Sequence, residues 1–158
     1  MRRPLLRPSK RKTEPSPAAR ALRLLARREH SRRELERKLA PHVADGAELS
    51  ALLDDLTARG WLSEARFVEQ LVHAKRSRYG AARIRQTLFE RGVPEDLIGP
   101  ALAALKDTEV EAARSVWSKK FRAARSSASE RARQVRFLQS RGFAIEIAMR
   151  VVRGEDED

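Results

Sequence analysis

Hydrophobic residues recur along this chain at helical spacing, and the helical segments themselves repeat about every fifty residues. Leu39, Leu88 and Leu138 lie 49 and 50 residues apart, each near the end of a short amphipathic segment. Gly92 and Gly142 follow the second and third of these leucines at the same distance. A period of this length, built from helical segments, predicts tandem helical units whose apolar faces stack on one another.

Apolar residues downstream of each leucine keep the same offsets. They are Leu97, Ile98 and Ala101 after Leu88, Ile147, Ala148 and Val151 after Leu138, and Leu52, Leu53 and Leu56 after Leu39. The offsets after Leu39 equal those after the other two leucines once an insertion of four residues within 41–46 is allowed for. No segment alternates β-branched and polar residues over a useful length, so no strand is predicted.

Helix-start and helix-stop signals divide each unit into three predicted helices, nine in all. Ser31 and Glu34 have the spacing of a capping box, in which each side chain accepts a hydrogen bond from a free backbone N–H. The other predicted starts are Ser16-Pro17, Asp45, Ser63, Pro94, Asp107 and either Ser127 or Ser129, and the predicted breaks are Gly60, Tyr79-Gly80, Gly92 and Gly142. Gly99-Pro100 falls inside the sixth helix, where an interior proline is expected to kink or split it.

The predicted fold class is therefore all-α, with three tandem three-helix repeats forming an elongated array. The predicted divisions are a basic disordered arm at 1–16, repeats at 17–60, 61–105 and 106–154, and an acidic tail at 155–158. Prolines at 4, 8 and 15 prevent a helix in the arm.

Charge distinguishes the third repeat from the other two. The 158 residues carry a net charge of +12, from 34 Lys and Arg against 22 Asp and Glu. Residues 17–60 and 61–105 hold +2 each, whereas the twelve basic and five acidic residues of 106–154 leave +7. A charge of this sign and size favours a polyanionic partner.

Catalytic and metal-binding classes find little support in the sequence. The absence of cysteine excludes disulfides, thiolate metal ligands and a cysteine nucleophile. His30, His42 and His73 lack metal-ligand spacing; we expect His30 beside a helix cap and the other two exposed. Carboxylates such as Asp54 and Asp55 lie near arginines, and the glycines are single helix terminators, so we expect no enzyme activity and no cofactor. No signal peptide or bilayer-spanning stretch is recognisable, which predicts a cytoplasmic protein.

Two clusters of basic residues are the candidate binding sites. In the third repeat, seven basic residues stand against Glu130 alone between 119 and 136, whereas a solvated helix face usually mixes the two signs. The third-repeat candidates are Arg114, Lys119, Lys120, Arg122, Arg125, Arg131, Arg133 and Arg136, and a smaller cluster around Tyr79 contains Lys75, Arg76, Arg78, Arg83 and Arg85. Trp61, Trp117, Phe121 and Phe143 lie at helix starts or on apolar faces, so we expect core packing rather than a base-stacking platform.

Several of these motifs, in this order, resemble the RecX family of regulators of the RecA recombinase. Residues 28–39, REHSRRELERKL, resemble the opening signature of that family, and residues 62–67, LSEARF, resemble its next segment. The middle unit is matched by Tyr79-Gly80 and by RGV at 91–93, and the third by KKF at 119–121 and FLQSRGF at 137–143. The resemblance covers about residues 18–153.

The resemblance implies a curved array of nine helices in three repeats. It also implies binding in the groove of the RecA–single-stranded DNA filament, with inhibition of strand exchange, ATP hydrolysis and coprotease activity. The implied partners are the RecA filament and the single-stranded DNA within it, with no membrane and with this chain as a monomer. Two alternatives stay open: a DNA-binding protein that needs no recombinase partner, and a purely structural adaptor.

Overall fold

A computed structural model describes residues 13–121 and 127–155. This part of the chain contains nine α-helices, one short 3-10 helix and no strand. The helices are α1 (Pro17–Arg27), α2 (Arg32–Leu39), α3 (Gly46–Ala58), α4 (Glu64–Lys75), α5 (Ala81–Glu90), α6 (Glu95–Ala103), α7 (Lys106–Lys120), α8 (Ala128–Ser140) and α9 (Ile145–Arg153). The 3-10 helix, Ala40–His42, occupies the insertion that follows α2. The predicted all-α class and its nine helices are confirmed.

Side-chain caps place most helix starts where the sequence predicts them. Ser16, Ser31, Asp45, Ser63 and Ser127 each accept a hydrogen bond from a backbone N–H in the first turn of the helix that follows. Such a bond satisfies one of the orphan donors at a helix N-terminus. The choice left open between Ser127 and Ser129 is thereby decided in favour of Ser127.

One local prediction is wrong, and of the kink or split expected at Pro100 the split does not occur. Asp107 does not precede α7, which begins at Lys106 after the buried Leu105, so the carboxylate lies within the first turn, where the helix dipole favours it. Pro100 does not split α6, which is continuous from Glu95 to Ala103. Proline has no N–H to donate, so the backbone carbonyl of Asp96, four residues before Pro100, loses its helical hydrogen bond. Both residues are exposed, and water can solvate that carbonyl instead.

Each group of three helices has its own hydrophobic core. The first core is centred on Leu35, Leu39 and Leu53, the second on Ile84, Leu88 and Ile98, and the third on Ala113, Leu138, Phe143 and Ala148. The repeat leucines 39, 88 and 138 are all fully buried. Leu62, just after the predicted first division, packs in the first core; the exact divisions stay a prediction. We refer to α1–α3, α4–α6 and α7–α9 as units 1, 2 and 3.

The aromatic residues predicted to lie in the core differ in how far they are buried. Phe143 is buried, and Trp117 and Phe121 are partly buried. Trp61 is 46% exposed, so that prediction is wrong. The Arg59 guanidinium lies 5.6 Å from the centroid of the Trp61 ring, a cation–π contact at the surface.

Unit 2 docks on unit 1 through the turn that follows α5. The buried Ser31 hydroxyl, which caps α2, also donates to the Arg91 carbonyl at 2.6 Å. Gly92 lies against the side chain of Arg33, and its φ of +73° suits glycine. The backbone N–H of Arg32 donates to the Glu64 carboxylate at the start of α4. Polar groups at the start of α2 therefore hold the next unit in place.

Unit 3 docks on unit 2 in the same way, one period later. The Gly80 N–H donates to the Arg141 carbonyl at 2.9 Å, and the Ala82 N–H donates to the Gly142 carbonyl at 3.2 Å. The Ala81 N–H donates to the Glu109 carboxylate of α7, as Arg32 does to Glu64. The two interfaces share one arrangement. The start of the second helix of one unit binds two parts of the next unit: the turn after that unit's second helix, and a glutamate of that unit's first helix.

Glu34 is the main buried charge of the first interface. Its carboxylate accepts hydrogen bonds from Arg28 on its own unit and from Arg91 on unit 2. The glutamate half of the predicted capping box is therefore wrong, because this carboxylate binds two guanidinium groups rather than the N–H of Ser31. Burial alone would raise the pKa of Glu34, but the Arg28 hydrogen bond and the positive charges of Arg28, His30 and Arg91 outweigh it and lower that pKa.

His30 is buried beside the cap of α2, as the sequence predicts, and the other two histidines are exposed. Its Nδ1 lies 3.0 Å from the Arg28 carbonyl and its Nε2 lies 3.0 Å from the Lys38 ammonium. Burial lowers the pKa of His30, and the charges of Arg28 and Lys38 act in the same direction. Burial raises the pKa of Glu64, whose second carboxylate oxygen has no hydrogen-bond partner.

Close packing at Gly142 gives the first prediction. A Cβ at this position would lie 2.4 Å from the Cβ of Arg83 and 2.5 Å from its backbone nitrogen, and φ is +90°. At Gly60, φ is also positive but no atom lies within 4 Å of the added Cβ. Gly60→Ala therefore incurs only the left-handed strain, about 1–2 kcal/mol. Gly142→Ala should lower the free energy of unfolding by about 1–3 kcal/mol more, from overpacking. Urea unfolding measures both; equal losses would contradict the docking geometry.

The lowered pKa of Glu34 gives a second prediction. Glu34→Gln removes the charge that Arg28 and Arg91 bind, and should cost roughly 1–3 kcal/mol at neutral pH, as for hydrogen bonds to charged groups. A carboxylate whose folded-state pKa is depressed stabilises the fold above its unfolded pKa of about 4.3, and this stabilisation is lost as the pH falls through the folded value. The difference in unfolding free energy between wild type and variant should therefore shrink below about pH 4. A difference that is constant from pH 7 to pH 3 would refute this role.

Candidate polyanion-binding surface

Three cations surround the ring of Tyr79, which lies between α4 and α5. The Lys75 ammonium lies 5.2 Å from the ring centroid, the Arg83 guanidinium 5.3 Å and the Arg141 guanidinium 6.0 Å. Lys75 and Arg83 belong to unit 2, four residues before and after Tyr79, whereas Arg141 comes from the turn after α8 in unit 3. Such contacts contribute about 0.5–1 kcal/mol each at exposed sites and orient the cations.

Phe137 of α8 continues this arrangement across unit 3. The Lys120 ammonium lies 4.6 Å from the Phe137 centroid and the Arg141 guanidinium 5.2 Å, so Arg141 lies within cation–π distance of both Tyr79 and Phe137. Phe121 meets the Phe137 ring edge-on, with centroids 5.5 Å apart at 85°. The end of α7 is thereby held against the side of α8.

A surface depression of about 440 Å³ adjoins Phe137. It is lined by Lys120, Phe121, Arg133, Arg136 and Phe137. We call the continuous set of cations and rings the junction strip, since it crosses the contact between units 2 and 3. Its members are Lys75, Tyr79, Arg83, Arg141, Phe137, Lys120, Arg133 and Arg136.

The docking of unit 3 on unit 2 forms the junction strip. The backbone bond from Gly80 to Arg141 brings the turn after α8 next to Tyr79, the neighbour of Gly80 in sequence. A Cβ on Gly80 would lie 2.3 Å from the Gly142 carbonyl oxygen, so only glycine permits this approach. Basic residues about fifty positions apart in the sequence are thus held on one surface.

The structure describes eleven of the thirteen candidate residues and separates these eleven into three groups. Lys75, Arg83, Lys120, Arg133 and Arg136 meet in the junction strip. Arg85 forms an ion pair with Glu95, and Arg131 lines a second depression of about 340 Å³ between α8 and α9. Arg76, Arg78, Arg114 and Lys119 are exposed outside the strip, and Arg122 and Arg125 lie outside the described residues.

Sequence reasoning misses three members of the strip. Arg141, Tyr79 and Phe137 are not among the site residues that the sequence predicts. A signal is present, since both rings have basic residues four positions before and after them: Lys75 and Arg83 around Tyr79, and Arg133 and Arg141 around Phe137. On one helix such residues share a face, which applies to Arg133 and Phe137 of α8, whereas Tyr79 and Arg141 lie between helices.

The strip has the chemistry of an anion-binding surface. Lysine and arginine in this arrangement can donate charge-assisted hydrogen bonds to phosphate or carboxylate oxygens. Cations already lie over both rings, so a nucleic-acid base could stack there only by displacing one of them. Recognition of the phosphate backbone is therefore favoured over base stacking. Within the described residues, no cluster of His, Asp or Glu could hold a metal ion.

No helix of the described part combines the length and the apolar composition that a membrane span requires. The longest helix, α7, has 15 residues and carries charges along its length.

Comparison with known proteins relates the whole array to one family. Three family models match the chain in order: the RecX first three-helix domain over residues 19–48, the second over 63–102 and the third over 107–152. A regulatory protein RecX of Leptothrix cholodnii is 53% identical over 139 residues, which are 88% of each chain. One of Ralstonia pickettii is 45% identical over 139 residues, covering 88% of this chain and 87% of that protein.

Solved structures agree with the fold. The crystal structure of RecX from Lactobacillus salivarius matches with a TM-score of 0.76 at 18% identity, over 87% of this chain and 93% of that chain. A second crystal structure, of a regulatory protein RecX, matches with a TM-score of 0.75 at 21% identity, over 88% of this chain and 72% of that chain. At these identities the likeness is one of fold.

The junction strip predicts salt-dependent binding to a polyanion. The strip variant, Lys120→Gln, Arg133→Gln and Arg136→Gln, removes three of its cations. The control variant, Arg37→Gln, Arg59→Gln and Arg153→Gln, removes three exposed charges outside it, two of them paired with carboxylates. The strip variant should elute from immobilised heparin at lower salt than the control variant, because its positive charge is no longer clustered on one surface. Identical elution would mean that net charge, not the strip, governs binding.

Proposed function

The chain belongs to the RecX family, and on this premise we propose that it regulates recombination by binding the RecA–single-stranded DNA filament. It lies in the helical groove of the filament and inhibits strand exchange, ATP hydrolysis and coprotease activity. The single observation that supports this proposal best is the junction strip, a row of oriented cations held across two units by backbone hydrogen bonds.

The chemistry of the strip suits such a groove. A filament wrapped on DNA presents phosphates and protein carboxylates along its length, and both accept charge-assisted hydrogen bonds from arginine and lysine. Three small cores joined in series give the protein a long binding surface rather than an enclosed pocket. Inhibition then follows from occupation of the groove, without any catalytic step by this chain. We propose that it acts as a monomer in the cytoplasm, where RecA works.

Hydrolysis of ATP by RecA in the presence of single-stranded DNA tests the proposal. Wild-type protein should suppress hydrolysis at near-stoichiometric amounts, and excess duplex DNA should compete poorly. The strip variant should need about tenfold more protein for the same inhibition, a change of roughly 1.4 kcal/mol in binding free energy. The control variant should inhibit like wild type.

Two outcomes would contradict the proposal. If wild-type protein leaves hydrolysis unchanged, or if excess duplex DNA abolishes its effect, the chain acts as a DNA-binding protein without a recombinase partner. If the strip and control variants inhibit equally well, the filament is bound through another surface. Matching urea midpoints for both variants and wild type would ensure that binding, rather than folding, is compared.

A further inference from the structure

Unit 1 carries a second basic surface, although the net charge of the unit is small. Helix α1 contains Arg20, Arg23 and Arg27 and no acidic residue. The spacing of three and four residues places these arginines along one side of the helix, rising about 4.5 and 6 Å along its axis. They form a row rather than a single point of charge.

The carboxylates of unit 1 are largely committed elsewhere. Glu29 pairs with Arg66 at 2.9 Å, and Glu34 pairs with Arg28 and Arg91. Two further pairs on the surface join Asp54 to Arg32 and Asp55 to Arg59. Arg20 approaches Glu14 only at 4.0 Å, and that glutamate side chain is 89% exposed. The arginine row of α1 is therefore weakly neutralised, although the unit as a whole holds only +2.

The row faces a depression of about 280 Å³ between α1 and the end of α2. Its lining residues are Arg20, Arg23, Leu24, Arg27, Lys38, Leu39 and His42. The Lys38 ammonium is held in place 3.0 Å from Nε2 of the buried His30. Leu24, which is partly buried, lies among the cations, and arginine stems can cover its apolar surface while their guanidinium groups stay in water.

We propose that this depression and the arginine row of α1 form a second polyanion site, which binds the phosphodiester backbone of single-stranded nucleic acid. It lies apart from the junction strip and acts on nucleic acid directly, without a recombinase. The site therefore goes beyond the proposed function and does not depend on it.

Three observations make the site suitable for a nucleic-acid backbone, and competition by an acidic polypeptide distinguishes this ligand from an acidic protein. Arginine predominates over lysine in the site, and its planar guanidinium binds phosphate, as it does carboxylate, in a bidentate manner. His42 supplies the one aromatic ring in the lining, and the remaining polar groups of the site are cations, so contact with the phosphate backbone predominates over base stacking. The sequence before α1 contains six basic residues against Glu14 within 1–16, all six of them outside the described residues. An unbroken row of cations matches a polymer that carries a charge at every nucleotide.

The test is binding of the full-length protein alone to a fluorescein-labelled oligodeoxythymidylate, measured by anisotropy over a range of salt concentrations. The α1 variant, Arg20→Gln, Arg23→Gln and Arg27→Gln, is compared with the control variant, which has the same net charge. Glutamine is a good helix former, so α1 should persist, as circular dichroism would verify. The α1 variant should bind at least tenfold more weakly at moderate salt.

The salt dependence shows whether the arginines of α1 neutralise phosphates. On a single strand, the slope of log affinity against log salt changes by about 0.7 for each phosphate that the protein neutralises. Removal of three such arginines should therefore make the slope shallower by roughly 2. The control variant should keep the wild-type slope. A polyaspartate competitor of equal charge should displace the oligonucleotide much less effectively than unlabelled oligonucleotide does.

Three results would overturn the proposal: wild-type protein that does not bind the oligonucleotide, α1 and control variants that bind equally well, or polyaspartate that competes as effectively as nucleic acid. The last would assign the site to an acidic protein. None of these measurements includes RecA, so failure here leaves the ATP hydrolysis test standing. Conversely, unchanged ATP hydrolysis would refute the proposed function while leaving direct nucleic-acid binding intact.

Discussion

The docking of one turn onto one helix start is the interaction on which the rest of this structure depends. In both interfaces the turn contains an arginine followed by a glycine with positive φ. The arginine carbonyl accepts a hydrogen bond from the start of the second helix of the preceding unit. The donor is the Ser31 hydroxyl for Arg91 and the Gly80 amide for Arg141. Each glycine lies so close to its neighbour that a Cβ would overlap it. Because the interface uses backbone groups and close contact, it fixes the relative position of the units more tightly than side-chain packing alone would.

This docking also explains why the units are joined by polar contacts while their cores stay separate. Each core buries its own leucines, and between the first two units lie Glu34 and the guanidinium groups that bind it. A buried carboxylate requires such partners, since removing them leaves an uncompensated charge. At this interface Glu29 and Glu34 of unit 1 pair with Arg66 and Arg91 of unit 2. The arginines of α1 are left with little compensation, and two basic surfaces arise on one chain.

The proposed role follows from the position of these surfaces rather than from any catalytic group. The junction strip exists only where units 2 and 3 meet, because Arg141 of one unit lies over Tyr79 of the other. Its rings orient cations and leave little face for a base. Such a surface suits a partner with regularly spaced anions along its length, and membership of a family of regulatory proteins agrees with an inhibitor that occupies such a partner.

The sequence by itself determined the helices, their caps and their grouping, because these depend on local chemistry. Ser16, Asp45 and Ser63 cap the helices whose starts their positions predict, and the three repeat leucines are buried. The sequence also identified the basic clusters and the family. Only the tertiary structure decided how the clusters combine. It turned Glu34 from a capping residue into the partner of Arg28 and Arg91, kept α6 continuous because Pro100 faces solvent, and joined Lys75 and Arg83 to Lys120 through Arg141. These outcomes depend on which residues distant in sequence come within a few ångströms, and no local pattern specifies that distance.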